Sequence, residues 1–234
     1  MKKAFSMIEL IVVIVLIGIL AFFLMPSGTD TKTLEAARQI ISHIRYAQHL
    51  ALNNDKFDSN DENWYKKFWR VSFSGATTGY KLDSCKSGDK CWRYSVWQDS
   101  AGGSTTNANS TKELALDPVS PGKYLAADYL GNDSGVTMTN FSKKMNLTDT
   151  YGIKNIAFNG LGGSTQSFMF DDLGRVYKPN LDAAYQSDKI VNDFIRITLT
   201  GKGGDEVKIL VFAASGYACV ENGSDDCVAP QATK

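Results

Sequence analysis

Met1-Lys2-Lys3-Ala4-Phe5-Ser6-Met7-Ile8-Glu9 opens the chain, and from Leu10 to Met25 every residue is apolar or glycine. Two cations, a small residue and one carboxylate precede an unbroken apolar run. Taken as one helix, Phe5 to Met25 is about 31 Å long at ~1.5 Å per residue. That matches a hydrocarbon core of roughly 30 Å. Lys2 and Lys3 stand before the run and the next cation is Lys32, a bias that keeps the N-terminus cytoplasmic and sends the rest outward.

Glu9 separates three readings of this segment. A secretory signal peptide has a shorter apolar core, roughly 7–15 residues, and a small-x-small cleavage site. Leu24-Met25-Pro26-Ser27 is a poor one. A plain single-pass anchor explains the length but not Glu9, since a carboxylate at that depth costs about 2.5–3.5 kcal/mol. A cut after Ala4 explains both. Phe5 then carries a free amino group, and Glu9 becomes the fifth residue of the mature chain. In a bundle of apolar helices the amine of a neighbouring subunit supplies the cation that a carboxylate in lipid requires. The charge pair favours assembly and sets the axial stagger between subunits.

Ala4-Phe5-Ser6-Met7-Ile8-Glu9-Leu10 resembles the class III leader junction of type IV pilins and type II secretion pseudopilins. The resemblance implies a leader of residues 1–4, cut by a prepilin peptidase between Ala4 and Phe5. It implies N-methylation of Phe5 and a role for Phe5 and Glu9 in subunit assembly. Pro26 falls where that family's long helix bends. Ala4 is a departure, since the family prefers glycine before the cut. The implied location is the bacterial inner membrane, with a single pass over 5–25 and a periplasmic globular domain.

Beyond Pro26, Thr29-Asp30-Thr31 can restart a helix. Leu34, Ala37, Ile41, Ile44, Ala47 and Ala51 recur at spacings of three and four, and Asn53-Asn54-Asp55 ends the pattern. Residues 26–53 are thus read as a helix continuation, giving a single helix on the order of 70 Å from Phe5 to about Asn53. Its apolar stripe needs a sheet to cover it. Residues 54–234 supply strands. Trp69, Val71 and Phe73 alternate with Arg70, Ser72 and Ser74, and Trp92, Tyr94 and Val96 with Arg93 and Ser95. Phe194–Thr200 turns through Gly201–Asp205 into Val207–Ala213 as a hairpin. The expected fold class is α+β. A long N-terminal helix, transmembrane in its first half, packs on a largely antiparallel sheet in the pilin-like manner that the resemblance implies. The Ser-, Thr-, Asn- and Gly-rich stretch Asp99–Lys112 reads as a solvated loop.

The helix Leu34–Leu52, the segment Phe170-Asp171-Asp172-Leu173-Gly174 and the closing Val207–Gly216 resemble the GspH/FimT-type minor pseudopilins. An arginine usual in that group after the last glycine is Tyr217 here. For Gly174 and Gly216 the plain physical reading is a turn that needs positive φ. The function implied is a minor pseudopilin, a structural subunit of a type II secretion pseudopilus. The alternatives are a minor type IV pilin for motility, adhesion or DNA uptake, and a membrane-anchored binding module. Partners would be the prepilin peptidase, the major and other minor pseudopilins, the inner-membrane assembly platform and the membrane lipid.

Composition narrows the other classes. Lys+Arg and Asp+Glu are 25 each, and the tail Val228–Lys234 has one lysine, too few cations for phosphate binding, so no nucleic-acid partner is expected. His43 and His49 are the only histidines and lie on different faces of one helix, which disfavours a catalytic triad or a multi-histidine metal site. No enzyme activity, cofactor or metal is expected. Four cysteines allow three pairings. Cys85 with Cys91 and Cys219 with Cys227 is the simplest, each pair being close in sequence. All four lie beyond the apolar run, where disulfides persist after export. Glu221, Asp225 and Asp226 form an acidic loop that reads as solvated, with Ca²⁺ as the sharper alternative.

Overall fold

The computed structural model describes residues 7–24, 31–55, 57–76, 90–99, 108, 110–127, 137–181, 186–223 and 225–227. The chain forms two units, Met1–Thr31 and Lys32–Lys234.

The first unit holds α1, Met7–Leu24. The second opens with α2, Thr31–Leu52. Among the described residues the single helix expected from Phe5 to about Asn53 is not found; they hold α1 and α2. α1 has 18 residues. Among the described residues no helix is long and apolar enough to cross a membrane. This overturns the transmembrane first half, and with it the single-pass inner-membrane location and the periplasmic placement that depended on it. Pro26, expected at the bend, lies outside the described residues.

The second unit is α+β, with two antiparallel sheets. Its strands are β1 Trp69–Ala76, β2 Cys91–Gln98, β3 Ile153–Asn159, β4 Ser167–Phe170, β5 Val176–Tyr177, β6 Phe194–Gly201, β7 Glu206–Phe212 and β8 Ala218–Val220; a short helix α3, Leu147–Tyr151, precedes β3. One sheet has the order β2-β1-β4-β5 and the other β3-β6-β7-β8. β6 and β7 pair from Phe194↔Phe212 to Thr200↔Glu206. Along β6, Ile195, Ile197 and Leu199 are fully buried while Arg196, Thr198 and Thr200 are half-buried. The period-2 pattern thus fixes which face meets the core.

α2 lies in one core with both sheets. Ala36, Ala37, Ile40, Ile41, Ile44, Ala47 and Ala51 are buried together with Val71, Phe73, Trp92 and Tyr94 from one sheet and Ile195, Ile197, Ile209 and Val211 from the other. The alanines let the helix backbone approach closely, and the isoleucines fill the space between. Burying an isoleucine of this kind contributes about 1.5–3 kcal/mol.

The far face of β1–β2 departs from the sequence reading. Alternation places Arg70 and Arg93 toward solvent, yet both are buried. Residues 110–127 and 137–146 fold over that face. Leu114 bridges to Trp97 and Ala126 to Ser95, and Trp97, Leu114, Ala126 and Phe141 make a second small core. Arg70 lies over the Trp97 ring at 5.0 Å and 3.5 Å from the carboxylate of Asp99. Asp99, expected as the start of a solvated loop, is fully buried. Burial pushes the Arg70 guanidinium below its usual range, while Asp99 and Glu113 pull against that shift.

Candidate functional site

Apart from Glu9, α1 is apolar or glycine throughout, and its described apolar side chains are open. Met7, Ile8 and Leu10 through Ile17 are between 41% and 82% exposed. An all-apolar helix with an exposed surface of this extent is a surface built to be covered. Glu9 lies in the first turn of α1, where the positive end of the helix dipole favours a carboxylate. That gives Glu9 a local structural reason beside the assembly role expected of it. Ala4 and Phe5, the expected cleavage and methylation positions, lie outside the described residues, so no geometry links Phe5 to Glu9.

Among the cysteines, Cys219 on β8 is bonded to Cys227, with the two Cα atoms 5.6 Å apart. Cys91, the first residue of β2, is also disulfide-bonded. Cys85 lies outside the described residues. Inside the Cys219–Cys227 loop, the Arg196 guanidinium donates to both carboxylate oxygens of Glu221 at 3.2 Å and also to Asp225. A protein cation therefore sits where the Ca²⁺ alternative would need its ion. Among the described residues no group of three or more His, Cys, Asp or Glu could hold a metal ion.

The polar side chains of α2 build a connected network that the sequence pattern does not announce. The Tyr94 hydroxyl lies 2.7 Å from His43 Nδ1 and accepts from Gln39 Nε2 at 3.2 Å. Tyr151 donates to Gln39 Oε1 at 2.5 Å. Desolvation holds the pKa of His43 down to about 4, with Asp117 opposing and Lys144 reinforcing. Burial likewise raises Tyr94, and pushes Tyr151 up to about 12. His43 and Tyr94 are therefore neutral hydrogen-bonding partners at neutral pH, and the network reads as a seam between helix and sheet rather than a reactive centre.

Gln48 makes the second link. Its Nε2 donates to Gly174 O at 3.1 Å and to Ser215 O at 2.6 Å. Gly174 lies in the β4–β5 turn with φ 77° and Gly216 in the β7–β8 turn with φ 63°. Both positions strain any residue with a side chain. Space matters as much: a Cβ on Gly174 would stand 2.8 Å from Gln48 Nε2, and one on Gly216 would run into Gln48 and Gly174 O. The two glycines singled out separately in the sequence thus converge on one carboxamide. Nearby, Arg45 Nη2 donates to Ala218 O at 2.8 Å, and its guanidinium lies over Tyr217 at 5.1 Å.

Compared with protein-family models, with curated proteins and with solved structures, the chain matches none.

Proposed function

We propose that the chain is a structural subunit of a fibre of the pseudopilin kind, a minor component of a type II secretion pseudopilus. The observation that carries this reading is the open apolar surface of Met7–Ile17 on α1. The unit Lys32–Lys234 closes its own core with α2, whereas α1 needs cover on every side. Parallel copies of the same kind of helix from neighbouring subunits provide such cover, burying roughly 25 cal/mol for each Å² removed from water. The junction Ala4-Phe5 with Glu9 supports the same reading, because a free amine on Phe5 supplies a charge partner between subunits. In this account a prepilin peptidase cuts after Ala4, Phe5 is N-methylated, and the partners are the major and other minor pseudopilins.

The test is the intact mass and N-terminus of the protein from cells with and without the peptidase. A start at methylated Phe5 that depends on the enzyme is expected. A Met1 start in the presence of the enzyme sinks the proposal. Deleting the gene should also abolish secretion of exported proteins. Intact secretion with a loss of motility or DNA uptake would move the subunit to a type IV pilus.

A further inference from the structure

A cleft of about 290 Å³ opens where the end of α2, the turn around Trp64 and the β4–β5 turn meet. It lies wholly within Lys32–Lys234. Three aromatic residues, Phe57, Trp64 and Tyr65, are in its lining. Phe57 meets Trp64 at 5.2 Å and 73°, and Trp64 meets Tyr65 at 6.2 Å and 89°. Phe57 is 64% exposed. A solvent-facing phenyl ring at the mouth of a cleft is not serving the core.

Asn54, Asp55, Asp172, Gln186 and Arg175 supply polar groups to the same lining. These are planar carboxylate, amide and guanidinium groups; Arg175 already donates to Asp171 and to the Tyr177 hydroxyl, and Asp55 accepts from the Phe57 N–H. Asp171, at the base, is not available to a ligand. It accepts from the backbone N–H of Leu173 and Arg175 and from Arg175 Nε at 2.8 Å. This buried acceptor fixes the turn and holds Arg175 at the rim. Phe68, Met169, Tyr177 and Leu181 form a separate buried cluster, against which Tyr65 packs.

The charge distribution argues for a neutral ligand. An organic cation would find aromatic faces here, but two are already taken by the chain's own cations: Lys66 stands 5.5 Å from the Tyr65 ring and Arg175 5.8 Å from the Tyr177 ring. A further cation would be repelled by both. An anion would face Asp55 and Asp172. A fatty or purely aromatic ligand would strip water from the amides and carboxylates without replacing their hydrogen bonds.

From this pairing of aromatic rings with planar polar groups in one lining we infer that the cleft binds a saccharide, one or two pyranose rings of an oligosaccharide. A pyranose presents C–H groups on one face and hydroxyls around its edge, the complement of a lining that mixes aromatic rings with polar groups. The inference is independent of the fibre reading, since α1 contributes nothing to the cleft.

The experiment uses the full chain, kept in solution with a detergent that has no sugar headgroup. Cellotriose, maltotriose and the trimer of N-acetylglucosamine are titrated while the Trp64 indole N–H is followed by NMR. At least one should bind and shift that resonance. Phe57→Ala and Trp64→Ala should each weaken the affinity roughly three- to tenfold or more, the value of one aromatic stacking contact. Should Trp64→Ala fail to fold, Phe57→Ala decides the question, because its side chain is largely in solvent. No binding by any of the three sugars, or binding unchanged in Phe57→Ala, overturns the inference. So does tetramethylammonium binding in the cleft with no saccharide binding, which would make it a cation cage.

Discussion

The two long helices have nearly opposite relations to water. α1, with 18 residues, is apolar on all sides and open from Met7 to Ile17. α2, with 22 residues, carries a stripe that both sheets cover. A stripe needs one partner surface, and the same chain can supply it. A helix with no polar side needs surroundings rather than a partner, and a single fold of this size provides none. The contrast teaches that the helix richer in hydrophobic residues is not the one that holds the domain together.

The largest effect should come from cutting into α2. Ile44 is fully buried, and Ile44→Ala should cost about 2–5 kcal/mol in urea denaturation. A loss below 1 kcal/mol, on the ordinary scale of surface changes, would break the comparison. The next effect is acid sensitivity. His43 takes up a proton near 6.5 when unfolded but only near 4 when folded. Its contribution is fully present above the unfolded value and is lost as pH falls toward the folded one, by an amount on the order of 3 kcal/mol. Equilibrium unfolding across that range should show the slope, and His43→Gln should flatten it. Replacing Cys219 and Cys227 together by serine should lower stability by about 2–3 kcal/mol, since the closed loop is short. Tyr94→Phe, which removes the hydroxyl shared by His43 and Gln39, should cost about 1–2 kcal/mol in the same assay. Smallest of all, Ile14→Ala on α1 should leave the melting of Lys32–Lys234 within about 0.5 kcal/mol of wild type. A large loss there would show that α1 is part of the folded core.

The sequence shows some of these features clearly and others not at all. The α2 stripe, the β6–β7 hairpin and the Cys219–Cys227 bond are local, and their signals are periodicity and proximity. An apolar run says which residues avoid water, not that they cross a membrane, and among the described residues no helix is long and apolar enough to do so. The burial of Arg70, Arg93 and Asp99 was invisible for another reason. It depends on residues 110–127 and 137–146 returning over β1–β2, and alternation along one strand cannot see what covers its second face. Gln48 was unmarked as well. Its role exists only because two turns distant in sequence, around Gly174 and Ser215, arrive at the same helix.

That convergence has a mechanical consequence. The carboxamide of Gln48 holds one loop from each sheet, so a pull along α2 is loaded onto both sheets in parallel. Neither can shear away before the other. A rupture there is a single event in which two tethers fail at once, and Gln48→Ala should lower the force at which the domain yields more than it lowers the temperature at which it melts.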